Sequence, residues 1–321
     1  MEYEFLNEFS LKEKSEDNYS ESLLDFEKLT EGTNDEIRRL LGDIVTLLSG
    51  KPYYECFSKK KIKKFRELSK KHPNMKEVND YFEEIFSLLY YKQNRHVSFP
   101  PILLLGNPGC GKTEWACSMS EILIGRSSRL DFGNELTSFQ LAGSQRGYSK
   151  PETGMIIKSM FSRGKGPVMN PIFILDELEK IKPDKHSPEH TLLCLLEKSS
   201  SKKFMDNFLE QTVDCSAFSY IACCNSLEGI PAPLLDRFKV FNIPDYTRQD
   251  LVDFVIPEIY KKWILEENFD LTKVPAELDK ETCERCAEIS ENKTRNIKHA
   301  LRTILIQELK NKKSESDSDV I

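Results

Sequence analysis

The sequence is most informative over eight consecutive residues: Gly106, Asn107, Pro108, Gly109, Cys110, Gly111, Lys112 and Thr113. They match the phosphate-binding loop pattern G-x-x-x-x-G-K-[ST] at every defined position. An apolar run, 102–105, precedes them, and apolar residues at helical spacing follow up to residue 123, which predicts a strand, a loop and a helix. Such a loop aims backbone N–H groups and a helix dipole at phosphates. Lys112 would contact the β- and γ-phosphates, and the Thr113 hydroxyl would bind Mg²⁺.

Two carboxylates follow a second apolar strand. Residues 172–175 are Ile-Phe-Ile-Leu, and Asp176 and Glu177 come directly after them, which is the Walker B pattern. Nucleotide hydrolysis needs one carboxylate to hold Mg²⁺ with its water shell and one to orient or deprotonate the attacking water. We therefore predict that Asp176 binds the metal and that Glu177 acts as the base.

A third apolar strand, 218–224, ends at Asn225. An amide at the tip of a parallel strand beside the Walker B strand would lie next to the γ-phosphate and help Glu177 to hold the water. An Asx turn that leaves a strand has the same local pattern, so both interpretations stay open.

Composition limits the class of protein. The 321 residues carry a formal net charge of −6, so no overall positive field attracts nucleic acid or acidic membranes. No apolar run approaches the length of about 18 residues that a membrane span needs, and the acidic start differs from a signal peptide. The nine cysteines show no disulfide framework, and the pair Cys283 and Cys286 lacks the second pair that a metal site needs. We predict a cytoplasmic protein without membrane contact.

Charge and helical spacing divide the chain into four parts. We predict a charged helical N-terminal region at 1–75, a large α/β ATPase domain at 76–245, a small helical domain at 246–313 and an acidic tail at 314–321. The first 36 residues hold twelve acidic residues and three lysines, whereas 59–72 holds eight Lys or Arg and one Glu. The basic segment is typical of a helix with a solvated face, but it also fits contact with nucleic acid, with an acidic protein or with the acidic lead.

The order of these motifs resembles an AAA+ ATPase module, in particular that of Lon protease. The similarity is carried by the phosphate loop, the two carboxylates, Asn225 and the run Leu-Leu-Asp-Arg-Phe at 234–238, and it continues through 141–157, 170–180 and 230–237. The resemblance implies a parallel P-loop sheet with flanking helices, a helical N-terminal region before it and a small helical lid after it. It also implies hydrolysis of ATP with Mg²⁺.

The resemblance further implies four roles. Asn225 would be sensor 1, and Arg237 would be the arginine finger that reaches the γ-phosphate of the neighbouring subunit. Arg295 would be sensor 2 on the lid. Tyr148 would be the pore-loop aromatic that grips an extended polypeptide in the channel of a ring, most simply a hexamer. Ser149 stands where Lon-like rings have an aliphatic residue, which leaves open whether a client is threaded or only tugged.

The sequence departs from Lon at both ends. Residues 1–75 differ in character from the large N-terminal substrate-binding region of Lon, and the eight residues 314–321 after the predicted lid are too few for a Ser-Lys peptidase domain. We therefore expect a stand-alone Lon-like ATPase that does not itself cleave proteins. The predicted function is an ATP-hydrolysing ring that remodels or unfolds a protein client through pore-loop and lid motion. Two alternatives stay open: a nucleic-acid loader or motor, and a nucleotide-controlled assembly switch in signalling or defence.

Overall fold

The computed structural model describes residues 31, 33, 35–48, 52–134, 136–161, 166–182, 184–272 and 274–318. Residues 1–30 of the acidic lead and 319–321 of the predicted tail lie outside these ranges. The strands are β1 Ile102–Leu105, β2 Ser128–Asp131, β3 Ile172–Asp176, β4 Phe204–Asp206, β5 Gln211–Val213, β6 Ser219–Cys224 and β7 Lys239–Asn242.

The helices are α1 Asp35–Leu48, α2 Lys59–Lys71, α3 Lys76–Leu88, α4 Lys112–Ile124, α5 Ser138–Ala142, α6 Met155–Lys158, α7 Glu189–Leu196, α8 Lys198–Ser201, α9 Ala232–Leu235, α10 Arg248–Asp250, α11 Ile256–Glu266, α12 Lys280–Ile289 and α13 Ile297–Ser318. Within the described ranges, every helix is too short or too polar to cross a bilayer.

Five strands form a parallel sheet in the order β2-β3-β6-β1-β7. Every residue of β3 and β6 is buried, as expected for apolar strands that are covered on both faces. Leu105 is aligned with Cys224, and Asp176 is aligned with Cys223, so β1, β3 and β6 end at one edge. This register brings the three predicted motifs together. The α/β fold predicted from the sequence, with a parallel sheet, flanking helices and helical regions before and after it, is confirmed.

The N-terminal helices α2 and α3 belong to the hydrophobic core on one face of the sheet. Phe65 of α2 and Phe82 of α3 pack in the same buried cluster as Trp115 of α4 and Leu104 of β1. The rings of Phe65 and Phe82 lie 6.0 Å apart between centroids. The core of the sheet therefore takes in residues before position 76, where the sequence places the start of the ATPase domain.

A separate hydrophobic core lies in the C-terminal helical region, residues 246–318. Tyr260 and Trp263 of α11 pack there with Cys283 and Cys286 of α12 and Leu301 of α13. Burial raises the pKa of the Cys283 thiol to about 11 and that of Cys286 to about 12. Both thiols are therefore protonated core groups at neutral pH.

Two features of this region modify the small helical domain predicted at 246–313. Residues 251–255 form a π-helical turn, and the described residues between α11 and α12 form no regular helix. The last helix, α13, ends at Ser318, beyond position 314 at which the acidic tail is predicted to begin.

Candidate nucleotide-binding site

The phosphate-binding loop connects β1 to α4 through two glycines with left-handed backbones. Gly109 has φ +93° and Gly111 has φ +86°, a region that side chains rarely allow. A Cβ atom on Gly109 would lie 2.7 Å from the Thr294 hydroxyl oxygen. The loop therefore needs glycine at Gly109 both for its conformation and for the close approach of the C-terminal helical region.

The Lys112 ammonium lies at the mouth of this loop, with only 6% of the residue exposed. It donates to the carbonyl oxygens of Gly106 at 2.7 Å and Asn107 at 2.9 Å, and to Oδ1 of Asn225 at 3.2 Å. These acceptors hold a buried positive charge beside the backbone N–H groups of the loop, which is the arrangement that receives phosphates.

Asp176 and Thr113 are direct neighbours although 63 positions separate them. The Thr113 hydroxyl donates to Oδ1 of Asp176 at 3.0 Å, and the backbone N–H of Glu177 donates to the same oxygen at 3.2 Å. The other carboxylate oxygen, Oδ2, forms an ion pair with the Arg129 guanidinium at 2.6 Å. A hydroxyl beside a carboxylate is the oxygen ligand set that Mg²⁺ prefers, so the chemistry of these residues fits the metal.

Glu177 adopts a left-handed backbone, with φ 54°. This conformation is uncommon outside glycine and asparagine, and such strain is frequent at functional sites. It turns the carboxylate against Gly133, just after β2, where an added Cβ would lie 2.2 Å from Oε2. Glu177 also lines the same cavity as Lys112 and Asp176.

Asn225 donates two hydrogen bonds to the Glu179 carboxylate. Its side-chain N–H₂ donates to Oε1 of Glu179 at 2.9 Å, and its backbone N–H donates to the same oxygen at 3.1 Å. The amide oxygen is thereby turned toward Lys112, from which it accepts a hydrogen bond. The amide therefore faces the phosphate loop, as the interpretation of Asn225 as a γ-phosphate neighbour requires.

A cavity of about 540 Å³ joins these groups, and Arg295 lies on its far side. Thr294 donates from its hydroxyl to the carbonyl oxygen of Gly109 at 2.6 Å. A second cavity, of about 520 Å³, runs between the phosphate loop and the C-terminal helical region along Asp245, Tyr246 and Thr294. Each cavity has walls from both regions, so a nucleotide here would contact both.

Three residues beside the loop, Asn74, His72 and Tyr246, belong to no sequence motif. Asn74 donates from Nδ2 to the carbonyls of Cys110 at 2.9 Å and Pro244 at 3.0 Å, which connects the loop to the start of the C-terminal helical region. His72 and Tyr246 are hydrogen-bonded through Nδ1 and the hydroxyl at 2.8 Å. Burial lowers the pKa of His72 to about 4, so its ring is neutral at neutral pH. The helix break at Pro73 was the available signal, but it does not show what its neighbours contact.

Comparison with known proteins identifies the domain. Residues 102–245 match the ATPase family associated with various cellular activities (AAA). The chain carries an AAA ATPase domain. This confirms the resemblance predicted from the motifs, and it indicates ATP as the nucleotide.

The AAA domain is similar to part of Lon protease. Lon protease 1 of Bacillus subtilis is 31% identical over 202 residues, which are 63% of this chain and 26% of that protein. Lon protease 1 of Thermus thermophilus is 33% identical over 185 residues, or 57% of this chain and 23% of that protein. The chain thus spans about a quarter of the length of these relatives. In structure it is similar to the S. cerevisiae Hsp104:casein complex, with a TM-score of 0.60 and 18% identity over 90% of this chain and 53% of that one, which supports the fold alone.

Arg237 lies apart from the cavities of the AAA domain. It follows α9, its side chain is 38% exposed, and its nearest ion-pair partner is Glu197 at 3.6 Å. It lines neither nucleotide cavity. Of the sequence-predicted site residues, the structure therefore brings together the loop, Asp176, Glu177, Asn225 and Arg295, but not Arg237 or Tyr148.

The AAA domain presents Tyr148 on a loop between α5 and α6, residues 143–154, which we call the Tyr148 loop. Tyr148 is 52% exposed, and its ring centroid lies 5.6 Å from that of Phe139. Arg146 donates to the carbonyls of Phe208 at 2.9 Å and Leu209 at 3.0 Å, in the turn of the β4–β5 hairpin. The tip of the loop is thereby fastened to that hairpin.

The end of the Tyr148 loop is fastened to the same hairpin by a buried carboxylate. Asp206, which is fully buried, accepts from the Gly154 N–H at 2.8 Å and from the Thr153 hydroxyl at 3.4 Å. It also accepts from the N–H groups of Phe208 and Leu209, each at 3.0 Å. The loop and the hairpin therefore form one hydrogen-bonded unit.

The basic segment of the sequence forms helix α2. Several of its cations have partners within the chain: Lys61 pairs with Glu55 at 2.6 Å, Arg66 with Glu83 at 2.8 Å, and Lys71 with Glu258 of α11 at 2.8 Å. Part of its charge is therefore used in internal ion pairs, and contact with nucleic acid stays a prediction.

Proposed function

We propose that this protein is an ATP-hydrolysing AAA+ motor that assembles into a ring and remodels a protein client. The observation that carries the proposal is the convergence of Lys112, Thr113, Asp176, Glu177 and Asn225 at one edge of the sheet. These side chains supply what hydrolysis requires: a cation for phosphates, oxygens for Mg²⁺, and a carboxylate and an amide for the attacking water.

In the proposed site, Lys112 and the loop N–H groups bind the phosphates of ATP, and Thr113 and Asp176 hold Mg²⁺. Bound Mg²⁺ would neutralise the charge that develops on the phosphates. Glu177 and Asn225 orient the water. Arg237, which is exposed and outside its own cavity, would complete the site of a neighbouring subunit, where a finger in trans can raise the rate by about 10³ to 10⁵.

Two contacts support transmission of the nucleotide state to the C-terminal helical region. Thr294 donates directly to the phosphate loop at Gly109, and Lys262 of α11 forms an ion pair with Glu114 in the first turn of α4. Arg295 follows Thr294 and faces the same cavity. Loss of the γ-phosphate would thus change the contacts on both sides of the cavity and shift the C-terminal helical region.

The client-binding part of the proposal rests on Tyr148. An exposed aromatic on a loop that is fastened to a hairpin can hold an extended chain without first losing its own order. The similar Hsp104 structure was determined with casein, which makes unfolded casein a suitable test client.

The test is binding of fluorescein-labelled casein to Glu177→Gln in Mg-ATP, measured by fluorescence anisotropy together with the mass of the assembly. The variant should bind ATP without turnover, form a ring and retain casein. Adding Tyr148→Ala should abolish casein binding but leave the ring intact. Tyr91→Ala is the matched control, since Tyr91 is also an exposed tyrosine, at 77%, but lies after α3.

Two outcomes would contradict the proposal. Hydrolysis at the parent rate by Glu177→Gln would contradict the site assignment. Equal casein binding by the Tyr148→Ala and Tyr91→Ala proteins would contradict the role of the loop. ATP-dependent change in assembly size without client binding would instead favour the assembly switch.

A further inference from the structure

Arg129 on β2 makes the shortest polar contact to the proposed metal-binding carboxylate, and neither the motifs nor the family resemblance assigned it a role. Its guanidinium lies 2.6 Å from Oδ2 of Asp176 and 3.5 Å from Oδ2 of Asp131. Parallel pairing aligns Arg129 with Ile174 and Asp131 with Asp176, so the side chain extends along the sheet edge to reach Asp176. Arg129 also lines the nucleotide cavity.

The burial of the two partners is unequal. The Asp176 side chain is 7% exposed, whereas that of Arg129 is 48% exposed. A buried carboxylate needs a positive partner, because an uncompensated charge in a desolvated site is costly. An exposed arginine has access to water as an alternative. Asp176 therefore depends on a cation more than Arg129 depends on Asp176.

The other oxygen of Asp176 is occupied by neutral donors, the Thr113 hydroxyl and the Glu177 N–H. Asp131, Asp176 and Glu177 thus place three carboxylates near one corner of the cavity, with Arg129 bridging two of them. Mg²⁺ that approached Asp176 would meet the positive guanidinium at the same carboxylate, and like charges at this distance repel.

We propose that Arg129 is a built-in counter-cation of Asp176 that Mg²⁺ must displace. It is a positioning residue that acts through Asp176: it holds the carboxylate in place in the nucleotide-free protein and sets the Mg²⁺ concentration at which the site fills. This inference rests on the proposed function, since it requires that Asp176 binds Mg²⁺ with nucleotide.

The test is a Mg²⁺ titration in which binding of a fluorescent ADP analogue to the 321-residue chain is measured. Arg129→Gln should lower the Mg²⁺ midpoint by roughly tenfold, the factor that about 1.4 kcal/mol of lost charge competition gives. Arg129→Lys, which keeps the charge, should stay near the parent midpoint. Arg66→Gln is the matched control, because Arg66 is exposed and paired with Glu83 away from the cavity, and it should leave the midpoint unchanged.

A melting measurement separates this role from a merely structural one. Without Mg²⁺, Arg129→Gln should melt below the parent, and addition of Mg-ADP should raise its melting temperature by more than that of the parent. If Arg129→Gln does not fold, Arg129→Met keeps the apolar stem without the charge and should show the same lowered midpoint.

An unchanged or raised Mg²⁺ midpoint in the neutral variants overturns the inference and leaves the nucleotide site intact. A parent protein that does not bind the ADP analogue overturns the proposed nucleotide site, and one that binds it with no dependence on Mg²⁺ overturns the assignment of Asp176 as a metal ligand. These failures are therefore distinguishable in one data set.

Discussion

His72 should make the stability of this protein depend on pH in a window set by its burial. Its pKa falls from 6.5 to about 4 because the ring is buried between α2, the phosphate loop and Tyr246. The unfolded chain therefore takes up the proton first as the pH falls. The contribution to stability is fully present above pH 6.5 and is lost as the pH falls toward 4, at up to about 1.4 kcal/mol per pH unit. Charged neighbours that modify this balance are Glu114, Lys262, Lys71 and Glu258.

The whole pKa shift of His72 corresponds to about 3 kcal/mol of unfolding free energy, a large part of the roughly 5–15 kcal/mol of stability that is typical of folded domains. We expect the free energy of unfolding in urea to fall between pH 7.5 and pH 4 by about 3 kcal/mol more in the parent than in His72→Asn. In that variant the side-chain amide replaces Nδ1 beside Tyr246. Other titrating groups are common to both proteins and cancel in the difference. In NMR titration, the signal absent from His72→Asn should have a midpoint near 4.

A constant stability difference between the two proteins across this range would refute the reasoning, as would an NMR midpoint near 6.5. Either result would mean that the ring is accessible to water in solution, and that the contact between His72 and Tyr246 does not exclude a charge.

The remaining predictions concern the nucleotide site and its neighbours. Lys112→Ala should weaken ADP binding by at least about 100-fold in calorimetry, because a charged donor to the phosphates is lost; parent-like affinity would exclude Lys112 from the site. Arg237→Ala should lose ATPase activity yet bind ATP normally, and mixing it with Lys112→Ala should restore some turnover; absence of any rescue would argue against action in trans. Thr294→Val should increase amide hydrogen exchange at Cys110, whose N–H donates to the Asn107 carbonyl within the phosphate loop, at least severalfold without unfolding the C-terminal region, since the Thr294 hydroxyl no longer holds the adjacent Gly109 carbonyl; unchanged exchange would show that this contact does not restrain the loop.

The central strands could be predicted because burial on both faces leaves a continuous apolar run. Strands β3 and β6 carry that run, and each was recognised within one residue of its observed bounds. Strand β7 was missed because it lies at the sheet edge and buries only Phe241. The β4–β5 hairpin could not be predicted because each of its strands has only three residues. The residue of its turn that has a left-handed backbone, with φ 55°, is Glu210, so no glycine marks the turn in the sequence.

The candidate site was predictable where one local motif contains the chemistry. The phosphate loop and the pair Asp176 and Glu177 each lie on consecutive residues beside an apolar strand. Arg129, Asn74 and His72 carry no such pattern, since their roles depend on which element packs against them. Their positions follow from the register of β2 on β3 and from the contacts that the residues at the break between α2 and α3 make, which only the tertiary structure specifies.

The double attachment of the Tyr148 loop restricts how this protein could be re-engineered. Asp206 receives donors from both the loop and the hairpin, and Arg146 spans the gap between them. Grafting the loop alone from another chain would remove the Thr153 hydroxyl that donates to this desolvated carboxylate and the Arg146 bonds that hold the hairpin turn, and the backbone N–H at position 154 would have to return to the same place. Residues 143–154 and 206–210 should therefore be exchanged together, as one cassette, in any variant designed to change the proposed client contact.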